Sequence, residues 1–236
     1  MLRQDIIPAI IPESLTRLES RLREVRHNVR CVQVDVLDGS LVPVTTWPYD
    51  GVGREAFFSA RHEDPGIPLW QEFEIELDLM VTEPERHVSA WAISGVSRII
   101  FHVESAPTLR AAIDACHAVR IEVACAIRPS TPLTLLEPYL SDVQFVQCMG
   151  SDTIGQHGVS LDPRVFERVR DIRTNWPNML VGIDIGVSLS TIPDLYRAGV
   201  RRFAAGSAVF ASGDPVGSLR ALQKVVDRCA DEAVRV

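Results

Sequence analysis

The sequence predicts an α/β protein: a (β/α)8 barrel, or TIM barrel, in which residues 1–236 form a single domain. Eight short apolar runs alternate with longer amphipathic stretches, and an even division of the chain gives about 29 residues to each strand–helix unit, a length that suits such barrels. The alternative is an open doubly wound sheet. Neither a GxGxxG motif nor a P-loop sequence follows the first strand, and this favours the barrel without excluding the open sheet.

The predicted strands are short, and several are apolar at nearly every position. Such runs are typical of parallel strands that are covered on both faces. The eight predicted strands cover residues 5–10, 31–36, 73–80, 97–103, 121–127, 142–149, 179–185 and 201–206.

The predicted helices carry start and stop signals as well as helical periodicity. Asp162 and Asp214 are each followed by proline, the pattern of an N-cap residue before a proline in the first helical turn. Gly199 follows a helix-like segment and is predicted to end it in a left-handed conformation. The seven predicted helices cover residues 13–25, 83–94, 106–118, 132–140, 162–175, 189–199 and 214–233.

Two segments between these elements, 38–72 and 149–161, are too long for simple turns. In a barrel of this type the loops that follow the strands form the catalytic face. We therefore expect both segments to lie on the face that carries the functional site.

Composition narrows the possible functions. The chain has 24 Lys and Arg residues against 31 Asp and Glu residues, a net charge of −7. This mild acidity argues against a nucleic-acid partner and against a polybasic membrane-binding surface. No apolar run is long enough for a transmembrane helix, and the first residues do not resemble a secretory signal. Five cysteines without a CxxC pair predict reduced thiols and a cytoplasmic location.

Acidic side chains stand near the ends of three predicted strands. Asp35 lies on the second strand, Asp78 on the third and Asp184 on the seventh, and alternation along the second strand places Gln33 on the same face as Asp35. A carboxylate within an apolar strand is costly to bury unless it has a partner. Three acids at equivalent strand ends therefore predict a functional site rather than isolated loop caps. His102 is predicted either to contact a substrate there or to pack as a buried histidine.

Several segments resemble the ribulose-phosphate 3-epimerase family, in the same order and with the same spacing over nearly the whole chain. The most specific are VDVLDGSLVP on strand two and AGSAVF on strand eight. The resemblance rests on residues 6–12, 34–43, 77–81, 126–133, 183–192 and 204–210.

The resemblance implies an isomerase of carbohydrate metabolism with a phosphorylated ketose as its substrate. The implied reaction interconverts D-ribulose 5-phosphate and D-xylulose 5-phosphate through a 2,3-enediolate, with Asp35 and Asp184 as its two acid/base residues. It also implies a possible homo-oligomer. Substrate and phosphate contacts are expected at positions that match the family pattern: Met80, Gly155, Gln156, Gly186, Gly206 and Ser207.

The sequence departs from the family at the positions that hold a divalent metal. Gln33 and Asp78 stand where the family has histidines, and Gln147 replaces a methionine. A metal held by Gln33, Asp35, Asp78 and Asp184 would have only oxygen ligands, which suit Mg²⁺ or Mn²⁺ better than Zn²⁺. A metal-free mechanism that uses carboxylates of raised pKa is the alternative.

The same departures leave two further interpretations open. In one, the barrel keeps its enediolate chemistry but acts on another ketose phosphate, such as a hexulose 6-phosphate. In the other, it binds a phosphosugar without catalysis.

Overall fold

The computed structural model describes residues 5–51, 53, 57, 66–105, 109–156 and 158–234. Eight parallel strands form a closed barrel in which each strand pairs with the next in sequence and β8 pairs with β1. The predicted (β/α)8 barrel is therefore confirmed. The strands are β1 (Ile6–Ile10), β2 (Cys31–Leu37), β3 (Glu74–Met80), β4 (Val96–His102), β5 (Glu122–Ile127), β6 (Phe145–Met149), β7 (Leu180–Asp184) and β8 (Arg202–Ala205).

Helices follow most of the strands, and the predicted caps at Asp214 and Gly199 are seen. The predicted N-cap at Asp162 is displaced by one residue, because Pro163 precedes the helix, although Asp162 Oδ1 accepts a 2.9 Å hydrogen bond from the Arg164 N–H. The Oδ1 atom of Asp214 accepts a hydrogen bond from the backbone N–H of Gly217 over 2.9 Å, and Gly199 ends its helix with φ of 119°. Both features match the signals in the sequence. The α-helices whose two ends lie within the described ranges are Leu15–Val25, Val88–Ala92, Arg110–Ala118, Arg164–Asn175, Ile192–Ala198, Ser207–Phe210 and Pro215–Val234.

Two of the predicted helices were wrong in type. Residues 132–140 form two separate 3-10 turns, Leu133–Leu135 and Glu137–Tyr139, instead of one α-helix. Pro138 lacks the N–H that an α-helix would need at that position, so the helix cannot continue through it. The predicted helix 83–94 is likewise divided into a 3-10 turn at Pro84–Arg86 and a short α-helix.

Two other predictions fall partly outside the described residues. The predicted helix 106–118 is seen from Arg110 onward, while residues 106–108 are not described. The long segment 38–72 includes undescribed residues between 52 and 65, and its described part contains a 3-10 turn at Trp70–Glu72.

The barrel separates two hydrophobic clusters. The larger one lies between the outward faces of the strands and the helices, where Leu18, Leu22 and Val169 pack on the sheet. The smaller one fills part of the barrel interior with side chains that include Leu37 and Phe145. Because the interior is packed in this way, the polar side chains among the strands occupy defined places rather than an open channel.

A buried ion cluster lies within the strands. Glu76 has 1 % of its surface exposed and forms ion pairs with Arg98 of β4 and Arg202 of β8. The two guanidinium groups also lie over the ring of Phe145, at 5.6 and 4.4 Å from its centroid. Glu76 therefore links β3 to strands on both sides of the barrel and neutralises charges that would otherwise be costly to bury.

The five cysteines form no disulfide within the described residues. No helix in the described part of the chain has both the length and the apolar character needed to cross a membrane.

The substitution Glu76→Gln should lower the free energy of unfolding by about 3 kcal/mol, because the half-buried Arg202 loses Glu76 and the half-buried Arg98 keeps only its more exposed partner Glu122. Urea unfolding followed by circular dichroism measures this loss. Glu74→Gln is the matched control, since Glu74 pairs with Arg30 at a partly exposed position of the same strand. The control should cost about 0.5 kcal/mol. Equal losses in the two variants would contradict the structural role of Glu76.

Candidate active site

A cavity of about 390 Å³ opens at the carboxyl-terminal ends of the strands. This is the face on which barrels of this class carry their functional residues. Most of the predicted site residues line the cavity: Asp35, Met80, Gly155, Gln156, Asp184, Gly186, Gly206 and Ser207.

Asp35 and Asp184 enter the cavity from strands that lie three steps apart around the closed barrel. Both are nearly buried, with 5 % and 8 % of their surfaces exposed. The Gln33 amide donates a hydrogen bond of 2.8 Å to Oδ1 of Asp35. The backbone N–H of Ile185 donates one of 2.8 Å to Oδ1 of Asp184, and Ile185 itself has φ of 75°. The left-handed backbone at Ile185 thus turns its N–H toward the carboxylate.

Asp78 lies close enough to these two acids for its charge to raise their pKa values, but it does not line the cavity. Its Oδ1 lies 2.9 Å from Nε2 of His102, and its Oδ2 accepts a 3.1 Å hydrogen bond from the Gln147 amide. Asp78 and His102 are completely buried. Both carboxylate oxygens of Asp78 therefore already have a nitrogen partner.

His102 is held between two acids. One ring nitrogen contacts Asp78, and the other, Nδ1, lies 3.7 Å from the Glu104 carboxylate. Burial alone would lower the pKa of His102, but the charges of Asp78 and Glu104 more than offset this effect and raise the pKa to about 9. Burial would raise the pKa of Glu104, yet the contact with His102 and hydrogen bonds from Thr131 and the Arg128 backbone lower it to about 2. His102 thus carries a fixed positive charge at neutral pH.

Burial raises the pKa values of the two acids in the cavity, whereas it acts to lower that of His102. Burial and the negative charges of Asp184 and Asp78 raise the pKa of Asp35 well above its usual range. Burial and the charge of Asp78 raise the pKa of Asp184 to about 7. Both carboxyl groups that face the cavity therefore have pKa values displaced upward, as acid and base catalysis by carboxyl groups near neutral pH requires.

The side chains do not fit a resident divalent metal. The Gln33 amide turns its nitrogen toward Asp35, and Asp78 is hydrogen-bonded to nitrogen on both oxygens. Across the described ranges, no group of three or more His, Cys, Asp or Glu side chains is arranged to hold a metal ion. Of the four predicted ligands, Gln33 and Asp78 also lie outside the cavity lining. The structure thus brings the four side chains together without giving them the geometry of a metal site.

The turns that follow β7 and β8 line the cavity with small and hydroxyl-bearing residues. Gly186 has φ of 76°, and the Thr191 hydroxyl donates a 2.7 Å hydrogen bond to its carbonyl oxygen. Ser188, Gly206 and Ser207 line the cavity beside it. Glycine-rich turns of this kind expose N–H groups that bind phosphate without cationic side chains.

The loop that follows β6 forms one wall of the cavity. Gly155 has φ of 78°, and a side chain on it would meet Leu37, since an added Cβ would lie 2.4 Å from Leu37 Cδ2. The loop can therefore approach the mouth of the barrel this closely only with glycine at position 155. Met80 faces the same cavity from β3.

Some members of the site were not predicted from the sequence. Ser188 and Thr191 line the cavity. The position of Glu104 at the end of the fourth strand was visible in the sequence, but its contact with His102 was not. The pairing of Gln147 with Asp78 joins residues 69 positions apart and has no local signal.

Comparison with known proteins identifies the family. The model of the ribulose-phosphate 3-epimerase family matches residues 5–210.

The chain belongs to the ribulose-phosphate 3-epimerase family.

This places it in a family of isomerases and confirms the resemblance noted in the sequence. Ribulose-phosphate 3-epimerase from Schizosaccharomyces pombe is 28 % identical over 227 residues, which cover 96 % of this chain and 95 % of the relative. The cytoplasmic isoform from Oryza sativa subsp. japonica is 27 % identical and covers 94 % of each chain.

Solved structures share the barrel fold with this epimerase-family chain. KGPDC from Streptococcus mutans superposes with a TM-score of 0.72 at 16 % identity and covers 95 % of this chain and 97 % of its own. At that identity the likeness concerns the fold alone.

The charged His102 predicts a loss of stability at high pH. Its pKa rises from 6.5 to about 9 on folding, so its contribution is complete below pH 6.5 and disappears as the pH rises through about 9. The full contribution is about 3 kcal/mol. The free-energy difference between the wild type and His102→Gln, measured by urea unfolding, should therefore shrink between pH 6.5 and pH 9.

His117→Gln serves as the control for this measurement, because His117 lies on the exposed face of its helix. The control should follow the wild type at every pH. A constant difference between the wild type and His102→Gln would show that His102 is not charged in the folded protein.

Proposed function

We propose that the chain interconverts D-ribulose 5-phosphate and D-xylulose 5-phosphate by moving the proton at C3. The observation that carries the proposal is the pair of buried carboxyl groups, Asp35 and Asp184, which face one cavity from separate strands and have pKa values displaced upward. An epimerase needs this arrangement, because one group must remove a proton from one side of the carbon while the other supplies a proton from the opposite side.

The proposed reaction starts with Asp184 ionised and Asp35 protonated. The Asp184 carboxylate removes the proton from C3, the C3–H electron pair forms a double bond to C2, and the C2 carbonyl oxygen becomes the enediolate oxygen. Asp35 then delivers its proton to the other face of C3 and the carbonyl re-forms. The configuration at C3 is inverted, and the two carboxyl groups have exchanged protonation states. In the reverse direction their roles are exchanged.

The phosphate group of the substrate is assigned to the turns after β7 and β8, where Gly186, Ser188, Gly206 and Ser207 line the cavity. The N–H groups of such turns are suited to phosphate. A phosphate bound there would leave the sugar chain to the part of the cavity that Asp35 and Asp184 line. Met80, Gly155 and Gln156 would then enclose the sugar from the side of β3 and the β6 loop.

The choice of a pentulose rests on the family and on the names of the curated relatives, which are ribulose-phosphate 3-epimerases. Because Gln33, Asp78 and Gln147 depart from the family pattern, a hexulose 6-phosphate is the second substrate to be tested. The cytoplasm is the proposed location, in keeping with the name of the rice relative. Self-association remains an expectation from the family resemblance.

A panel of phosphorylated ketoses tests the proposal. In deuterated water, NMR should show deuterium entering C3 of D-ribulose 5-phosphate together with formation of D-xylulose 5-phosphate. Asp35→Asn and Asp184→Asn should each reduce kcat by about 10²- to 10⁴-fold, since each removes a group that transfers a proton. Their folds should be unchanged by circular dichroism.

Asp38→Asn is the matched control for these variants. Asp38 follows the same strand as Asp35, but it bonds to Ser40 and does not line the cavity, so its variant should keep its activity. Faster exchange on a hexulose 6-phosphate would move the assignment to that substrate. If no ketose in the panel exchanged its C3 proton, the catalytic proposal would be wrong and a phosphosugar-binding role would take its place.

A further inference from the structure

We propose that the nitrogen donors of Gln33, His102 and Gln147 take the place of a divalent metal, so that the chain transfers the C3 proton without one. The inference rests on the proposed epimerase function, since it concerns how the same site holds its acids. It assigns the three residues as positioning residues, because they contact the acids and not the substrate.

The first support is that Asp35 and Asp78 already have nitrogen hydrogen-bond partners. Asp35 accepts from the Gln33 amide over 2.8 Å, and Asp78 has His102 on one oxygen at 2.9 Å and Gln147 on the other at 3.1 Å. The Gln33 amide also acts on Asp184, whose pKa it lowers. The Gln33 amide therefore bonds to one of the two acids that face the cavity and acts on the other.

The second support is that the donors are built into the barrel. The side chains of Gln33 and His102 are completely buried, and 3 % of Gln147 is exposed. They project from β2, β4 and β6, so the strand register sets their positions. Donors fixed in this way lose little freedom when the acids change their charge, which is the condition for electrostatic preorganisation.

The third support is the position of His102. Its buried ring lies between Asp78 and Glu104, with nitrogen atoms 2.9 and 3.7 Å from the two carboxylates. Asp78 is therefore not an available metal ligand, because each of its oxygens already has a nitrogen partner.

The fourth support is that Gln147 and Asp78 are chemically matched. A methionine at position 147, as the family resemblance implies, could not donate to Asp78, whereas Gln147 donates to the oxygen that His102 leaves free. The two residues therefore form a pair that a metal site would not need.

Metal binding is tested directly on the full-length chain. Protein treated with EDTA and then freed of it is titrated with Zn²⁺, Mn²⁺ and Mg²⁺ by isothermal titration calorimetry, and the metal content of untreated protein is measured by mass spectrometry. We expect no saturable site that depends on the acids. One equivalent of metal bound to the wild type and lost in both Asp35→Asn and Asp184→Asn would overturn the proposal. Binding that both variants retain lies outside the site and supports the proposal that the acids hold no metal.

Activity provides the second readout. The rate of C3 proton exchange on D-ribulose 5-phosphate should be the same with EDTA and with added metal, within about twofold. A tenfold fall in EDTA that metal restores would overturn the proposal. If no ketose phosphate is exchanged under either condition, the proposed epimerase function fails, and the calorimetric result still decides whether the site holds a metal.

Gln147→Met tests the positioning role, because methionine has a similar volume but cannot donate to Asp78. We expect kcat to fall about tenfold while KM stays within twofold, since the donor acts on the acids and not on the bound substrate. Circular dichroism verifies the fold of the variant. An unchanged kcat in folded Gln147→Met would show that the hydrogen bond to Asp78 is only structural and would overturn this part of the proposal.

Discussion

Three carboxyl groups, Asp35, Asp78 and Asp184, are buried at one end of a closed barrel, and the rest of the site depends on how their charges are balanced. Like charges in a poorly solvated place cannot all remain ionised without compensation. The barrel compensates them with nitrogen donors from neighbouring strands and with one charged histidine, His102. Burial and the neighbouring negative charges still raise the pKa values of Asp35 and Asp184, which are the two acids that face the cavity.

The ion cluster around Glu76 and the acids of the candidate active site lie in separate layers of the barrel. Glu76 and Asp78 lie two residues apart on the same strand, yet Glu76 is neutralised by Arg98 and Arg202, whereas Asp78 is paired with His102 and Gln147. The lower layer pairs its acid with two guanidinium groups. The layer above it uses an imidazole and a neutral amide, and it leaves two of its acids next to the cavity. A two-residue step along β3 thus separates a structural ion cluster from the candidate active site.

Much of the fold was predictable because it depends on local patterns. The alternation of apolar runs and amphipathic stretches predicted eight strands and the closed barrel, and cap residues such as Asp214 and Gly199 marked helix ends correctly. The helix predicted over residues 132–140 failed, because the apolar periodicity there outweighed the effect of Pro138 in the prediction.

Only those site residues could be predicted that lie at strand ends or match the family pattern. The residues that line the cavity were found in this way, including Asp35 and Asp184. The partners of Asp78 could not be found, because the contacts with His102 and Gln147 depend on side-chain direction inside the barrel and on strands distant in sequence. For the same reason, an oxygen-ligand metal site was a reasonable hypothesis from the residue types alone, and only the hydrogen bonds argue against it.

The central claim is that burial and the neighbouring acids raise the pKa values of both carboxyl groups in the cavity above the ordinary range. Carbon-13 NMR of protein labelled at its aspartate carboxyl carbons, with Asp35→Asn and Asp184→Asn used for assignment, measures this directly. The account predicts that Asp184 titrates near pH 7 and that Asp35 titrates well above the ordinary range of a carboxyl group. Titration of both groups at about 4, the value of a solvent-exposed aspartate, would contradict it.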